Sequence, residues 1–111
     1  MTLRSGSAGS SCVVALDYEV AHEQAVALGR SGRALEAALR ALSAYDRAAT
    51  GHPAERAKLV QDASDALWRY MVQRECCGLR DPRPVLRDYC VPAEVQNRMG
   101  VFGGRRRAVP A

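Results

Sequence analysis

The segment 12–49 contains no proline and repeats its apolar side chains in a helical phase. At about 100° per residue, five of these side chains fall within one narrow arc, and several are spaced by seven residues. They are Ala21, Leu28, Leu35, Leu39 and Leu42, here called the leucine stripe. Gly29 and Gly32 weaken a helix chemically but leave the phase of the stripe unchanged. The sequence therefore predicts one long helix with a straight apolar stripe.

A second long helix is predicted after a short turn at 50–53. Pro53 suits a first helical position, and Glu55 lies in the first turn. Gly78 predicts a left-handed Schellman ending close to Cys77, with Leu79 as its apolar partner. Two long helices joined by so short a turn predict an antiparallel helical hairpin.

Two short helices are predicted next. One begins near Asp81 and Pro82, and the other runs from Pro92 to Gly100. We expect them to cover Trp68 and Val72, which lie outside the main apolar face of the second long helix. The predicted fold is therefore all-α: a long antiparallel helical hairpin capped by two short C-terminal helices.

The charge is concentrated at the C-terminus. The chain has 16 basic and 12 acidic residues, and its pI is near 9.2. Four arginines and no acid lie within residues 98–111, so the remainder has no net charge. These are Arg98, Arg105, Arg106 and Arg107. Because the excess charge lies in this segment alone, the whole-chain pI does not indicate a nucleic-acid partner. We expect a disordered leader over 1–11, one helical domain over 12–100 and a basic flexible tail over 101–111.

Catalytic and metal-binding patterns are weak. Glu19 and His22 match one Glu-x-x-His unit, but they face away from the leucine stripe and a di-iron bundle needs two such units. Adjacent Cys76 and Cys77, with the distant Cys90, do not have zinc-site spacing, and we expect them to be small buried apolar residues. The sequence predicts no enzyme activity, no cofactor and no metal site.

Localisation is predicted to be cytoplasmic. Residues 1–11 are rich in Gly and Ser, and the apolar run 12–16 is too short for a secretory signal. No segment approaches the roughly 18 apolar residues of a membrane helix, so no membrane partner is expected.

One stretch resembles a known family. The stretch 72–81, which contains Gln73-Arg74-Glu75-Cys76-Cys77-Gly78-Leu79-Arg80-Asp81, is similar to a small uncharacterised bacterial helical family, together with 16–19, 28–29, 35–36, 89, 91–95 and 98–100. The resemblance covers roughly 16–100 and implies an all-helical bacterial protein of unknown function. Where this chain has Cys90, a glycine is usual in that pattern, so the resemblance implies no role for this cysteine.

The function predicted from these residues is homo-oligomeric protein interaction or scaffolding, without catalysis. The first half of helix one, with Val14, Ala21 and Leu28, should project beyond helix two, and a dimeric helical bundle would cover it. The small residues Ala25 and Gly32 would permit close crossing. The candidate dimer or core residues are Ala21, Leu28, Gly32, Leu35, Leu39 and Leu42.

The alternative is a small nucleic-acid-binding protein. The two short helices have helix-turn-helix proportions, and a basic tail follows them. The candidate contacts are Asn97 and Arg98 in the last helix, with Arg105, Arg106 and Arg107 in the tail. The tail alone would bind weakly and with strong dependence on salt.

Overall fold

The computed structural model describes the backbone of residues 2–49 and 51–100, and the side chains of 13–49 and 51–100. Four helices follow one another: α1 (Thr2–Ala48), α2 (Pro53–Cys76), α3 (Arg83–Asp88) and α4 (Ala93–Arg98). The described residues contain no strand, and the all-α class is confirmed.

Helix α1 is 47 residues long, which corresponds to about 70 Å. It continues without a break through Gly29 and Gly32, as the phase of the leucine stripe predicts. It begins at Thr2 rather than near Cys12, and no proline precedes Pro53 that would interrupt it. Residues 101–111 lie outside the described part of the chain, and the division into domains stays a prediction.

The turn after α1 requires special backbone geometry. Ala49 and Gly51 have positive φ angles of 53° and 115°. A Cβ atom at Gly51 would overlap the hydroxyl of Tyr45, which donates a hydrogen bond of 2.6 Å to the carbonyl of His52. Only glycine tolerates both conditions, and the chain is then placed to begin α2 at Pro53.

Helix α2 lies along the C-terminal half of α1. At one end Asp46 pairs with Arg56, and at the other the Cys77 thiol lies 3.9 Å from the carbonyl oxygen of Gln24. Between these ends Leu35 and Leu67 are fully buried. Among the described residues, the buried apolar side chains of the core are Leu35, Leu42, Val60, Ala63, Ala66, Leu67, Val85, Val91 and Val95.

The predicted Schellman ending of α2 is confirmed. Gly78 has φ of 84°, the Leu79 amide donates to the carbonyl of Arg74, and the Gly78 amide donates to that of Glu75. Leu79 itself is 45% exposed, so its apolar contact is partial.

Helix α4 packs on the first half of α2. The hydroxyl of Ser64, fully buried, lies 2.9 Å from the carbonyl oxygen of Val95 and 2.8 Å from that of Val60. The guanidinium of Arg98 donates to the amide oxygen of Gln61 at 2.6 Å. These contacts place α4 beside residues 60–64 of α2.

The segment after α3 lies on the opposite side of the helix pair from Trp68. The rings of Tyr70 and Tyr89 pack edge to face at 5.6 Å, and both occupy the space that a Cβ atom at Gly32 would need. The prediction that the short helices cover Trp68 and Val72 is therefore wrong, and both residues are 40% exposed. Helix α4 stops short of them along α2, while Tyr89 covers the other side of α1.

Cys90 adopts a left-handed backbone conformation, with φ of 52°. A side chain is disfavoured there, whereas glycine adopts such angles readily. This geometry gives a physical reason for the glycine that is usual at this position in the similar family.

Candidate interaction surface

The first exposed feature is the N-terminal part of α1. Helix α2 has 24 residues, or about 36 Å, and reaches back along α1 only as far as Gln24. Residues 13–26 of α1, here called the arm, therefore extend largely beyond it. Six large apolar side chains of the arm are 42–75% exposed. They are Val13, Val14, Leu16, Tyr18, Val20 and Val26.

Part of the arm continues an apolar line that runs along α1. At about 100° per residue, six side chains fall within an arc of about 60°, roughly 80° around the helix from the leucine stripe. They are Val13, Leu16, Val20, Ala27, Ser31 and Ala34, here called the outer stripe. The outer stripe starts with large side chains in the arm and ends with small ones.

The small end of the outer stripe forms the floor of a groove between α1 and α2. The groove has a volume of about 500 Å³, and the half-exposed side chains of Trp68 and Val72 form its α2 wall. Its lining residues are Ala27, Arg30, Ser31, Ala34, Trp68, Arg69, Val72 and Gln73, and we call it the Trp68 groove.

The arm and the groove differ in charge. Residues 13–29 contain Asp17, Glu19 and Glu23 and no lysine or arginine. The Trp68 groove is bordered by Arg30 and Arg69, both exposed, and it has no acidic lining residue. An acidic apolar helix is therefore complementary to this groove in both polarity and charge.

The leucine stripe divides into buried and exposed parts. Leu35 and Leu42 are in the core, and Leu28 and Leu39 are half-buried. Ala21 is exposed on the arm.

Gly32 is buried, and a Cβ atom there would lie 3.1 Å from the Tyr89 hydroxyl and 3.2 Å from Tyr70 Cε1. The close approach predicted at Gly32 occurs within the chain, with two tyrosines, and Gly32 is not open to a second helix. Burial and a hydrogen bond with Tyr70 raise the pKa of Tyr89 to about 12.

The candidate nucleic-acid contacts are only partly accessible. Asn97 is exposed, but Arg98 is half-buried and bound to Gln61. The side chain of Gln96 donates to the carbonyl of Val91 at 3.0 Å. Arg105, Arg106 and Arg107 lie outside the described residues. Helix α4 thus uses Gln96 and Arg98 to hold its own position.

The cysteines differ from the prediction that they are buried. Cys76 and Cys90 are exposed, and only Cys77 is partly buried. Their exposure follows from their places, since Cys76 lies on the outer side of the last turn of α2 and Cys90 lies in a tight turn. Glu19 and His22 are both exposed on the arm. Within residues 13–49 and 51–100, no group of three His, Cys, Asp or Glu side chains is placed to hold a metal ion.

The most connected charged cluster joins three helices at the end away from the arm. Arg56 of α2 binds Asp46 of α1 at 2.7 Å and Glu94 of α4 at 2.7 Å. These hydrogen bonds lower the pKa of both carboxyl groups and raise that of Arg56. The cluster fixes α4 to the helix pair, and we assign it a structural role.

The sequence pattern did not predict the outer stripe, because the leucine stripe is the more hydrophobic of the two. Alanine and serine at 27, 31 and 34 carry little hydrophobicity, so no second apolar face is evident. The change from large to small side chains along positions 16, 20, 27, 31 and 34 is the sequence signal from which the outer stripe could be predicted. The groove itself depends on Trp68 and Val72 of another helix.

The fold defines a small all-α protein with an exposed helical arm. Residues 3–107 match a family of unknown function, DUF6665, and the chain belongs to this family. The chain is also 33% identical to the aliphatic sulfonates import ATP-binding protein SsuB 2 of Nocardia farcinica. That alignment covers 97% of this chain but only 45% of the relative. No solved structure matches.

Among the described residues, no helix combines the length and apolar character needed to cross a membrane.

Proposed function

We propose that this protein is a non-catalytic homodimeric interaction or scaffolding module, in which an antiparallel helical hairpin dimerises through the arm of α1. The observation that carries the proposal is the exposure of large apolar side chains on the arm, beyond the reach of α2. Leu16 is 61% exposed and Val20 is 54% exposed, and they follow one another by one helical turn. A contiguous exposed apolar face is typical of an interaction site rather than of a free surface.

A second copy is the partner that requires fewest assumptions. Two-fold symmetric dimers are the commonest soluble oligomers, and a two-fold contact uses the same surface on both copies. The arm offers a long helical surface, and helices of this kind associate by packing apolar stripes side by side. The ATP-binding role in the name of the relative is not extended to this chain, because Gly29-Arg30-Ser31-Gly32 lies inside α1 rather than in a loop after a strand.

The test is the mass of the reduced protein by light scattering during size-exclusion chromatography. We expect a mass near twice 12.0 kDa, and the double variant Leu16→Glu/Val20→Glu should elute as a monomer with unchanged helix content. Burial of each side chain from its partly exposed state is worth about 1 kcal/mol, so four such sites per dimer give about 4 kcal/mol, or roughly 1,000-fold in Kd.

Tyr18→Glu is the matched control, because Tyr18 is 75% exposed on the same arm but lies on the side opposite the outer stripe. It should leave the mass unchanged. A wild-type monomer at every concentration would refute the proposed dimer. A peak with strong absorbance at 260 nm that disappears in a chain ending at Gly100 would instead favour the nucleic-acid alternative.

A further inference from the structure

The outer stripe has the form of a surface that matches itself after a two-fold rotation. Its arm half carries Leu16 and Val20, and its groove half carries Ser31 and Ala34. Suppose that two copies of α1 cross in opposite directions at the level of residue 25, with their outer stripes facing each other. Leu16 of one copy then lies opposite Ala34 of the other, and Val20 lies opposite Ser31. Large side chains then meet small ones at these pairs and at their two-fold equivalents, which favours close helix packing.

Charge favours the same arrangement. The antiparallel crossing brings Glu19 of the acidic arm beside Arg30 of the other copy, because both project from the same side of the outer stripe. A parallel pairing would instead align the acidic residues of the two arms with one another. Like charges in contact are destabilising, so the parallel arrangement is disfavoured.

From these features we infer that the arm of each copy lies in the Trp68 groove of the other, in an antiparallel two-fold dimer. This inference rests on the proposed homodimer and adds the surface that receives the arm. The apolar wall made by Trp68 and Val72 packs on Leu16 and Val20 of the second copy. The two hairpins together form a bundle in which both α1 helices are central.

Trp68 reports directly on whether the groove is occupied. It is the only tryptophan in the chain and is 40% exposed in a single copy. Covering it with the arm should shift its fluorescence emission to shorter wavelength in the dimer. On dilution, the emission should move to longer wavelength over the same concentration range in which light scattering shows the mass falling from two chains to one.

Charge exchange between chains tests the register. Glu19→Arg and Arg30→Glu should each raise the Kd of the dimer about tenfold, since each change affects two equivalent pairs. When these two single variants are mixed, both pairs of the heterodimer are again oppositely charged, one in the wild-type sense and one reversed, and a heterodimer of near wild-type affinity should result. Arg40→Glu is the control, because Arg40 is exposed on the same helix but outside the groove. It should leave the Kd unchanged.

The outcomes separate this inference from the proposed function. A shift of Trp68 emission on dilution, together with recovery on mixing, supports docking of the arm in the groove. If the dimer dissociates without a change in Trp68 emission, docking of the arm in the Trp68 groove is refuted while the proposed dimer stands. The same holds if the charge variants do not recover affinity on mixing. An effect of Arg40→Glu equal to that of Arg30→Glu also overturns it, since net charge alone would then be the cause. A wild-type chain that stays monomeric overturns both.

Discussion

The two glycines of α1 provide a matched pair of substitutions with different expectations. Gly29 and Gly32 lie one turn apart in the same helix, so replacing either with alanine removes the same helix penalty. That change is worth about 0.8–1 kcal/mol in a helix interior. Their surroundings differ. A Cβ atom at Gly29 would meet only the end of the Arg33 side chain, at 3.4 Å, whereas one at Gly32 would meet two tyrosines at 3.1 and 3.2 Å.

Gly29→Ala should therefore stabilise the protein by nearly the full amount, because Arg33 is flexible and exposed. This corresponds to an increase in Tm of roughly 4–8 °C for a domain of this size. At Gly32 the gain is opposed by displacement of Tyr70 and Tyr89. Loss of such an aromatic pair costs about 0.5–1.5 kcal/mol, so Gly32→Ala should lie between about 0.5 kcal/mol stabilising and about 0.7 kcal/mol destabilising, well short of the gain at Gly29.

The assay is thermal and urea unfolding of both variants and the wild type at one protein concentration, because dimer dissociation would otherwise change the apparent stability. In a Tyr89→Ala background, Gly32→Ala should become stabilising, since the space above it is then free. Equal stabilisation by Gly29→Ala and Gly32→Ala in the wild-type background would refute the reasoning. It would mean that the tyrosines do not constrain position 32.

Two further predictions concern other parts of the chain. Cys90→Gly should raise the free energy of unfolding, measured in urea, by about 0.5–1 kcal/mol. The reason is that φ at this position is 52°, which glycine adopts without strain. An equal gain from Cys90→Ala would contradict this cause. The Arg56 cluster should lose its contribution in acid. The pKa values of Asp46 and Glu94 are lowered in the folded state, so their stabilisation is present above the ordinary values of 3.8 and 4.5 and is lost as the pH falls through the folded values. The Tm difference between wild type and Arg56→Gln should thus be present at pH 7 and shrink below about pH 4; a difference that does not depend on pH would contradict the ion pairs as its source.

Much of the local structure follows from the sequence. The seven-residue spacing places Leu35 and Leu42 on one face of a helix, and both are buried where α2 covers that face. The end of α2 is equally local, since Gly78 accepts a left-handed φ that closes two hydrogen bonds within six residues. Such features depend on neighbours in the chain, and the order of the residues is enough to predict them.

The position of the short helices was decided by tertiary contacts. Ser64 meets Val95 across 31 positions of the chain, and Arg98 meets Gln61 across 37. Neither contact has a repeating pattern in the sequence, because each joins one side chain to one distant partner. These contacts hold α4 on the first half of α2 and leave Trp68 exposed. The sequence by itself determined the order of the helices and which face of α1 is buried, whereas only packing between distant segments decided which apolar surface remained open.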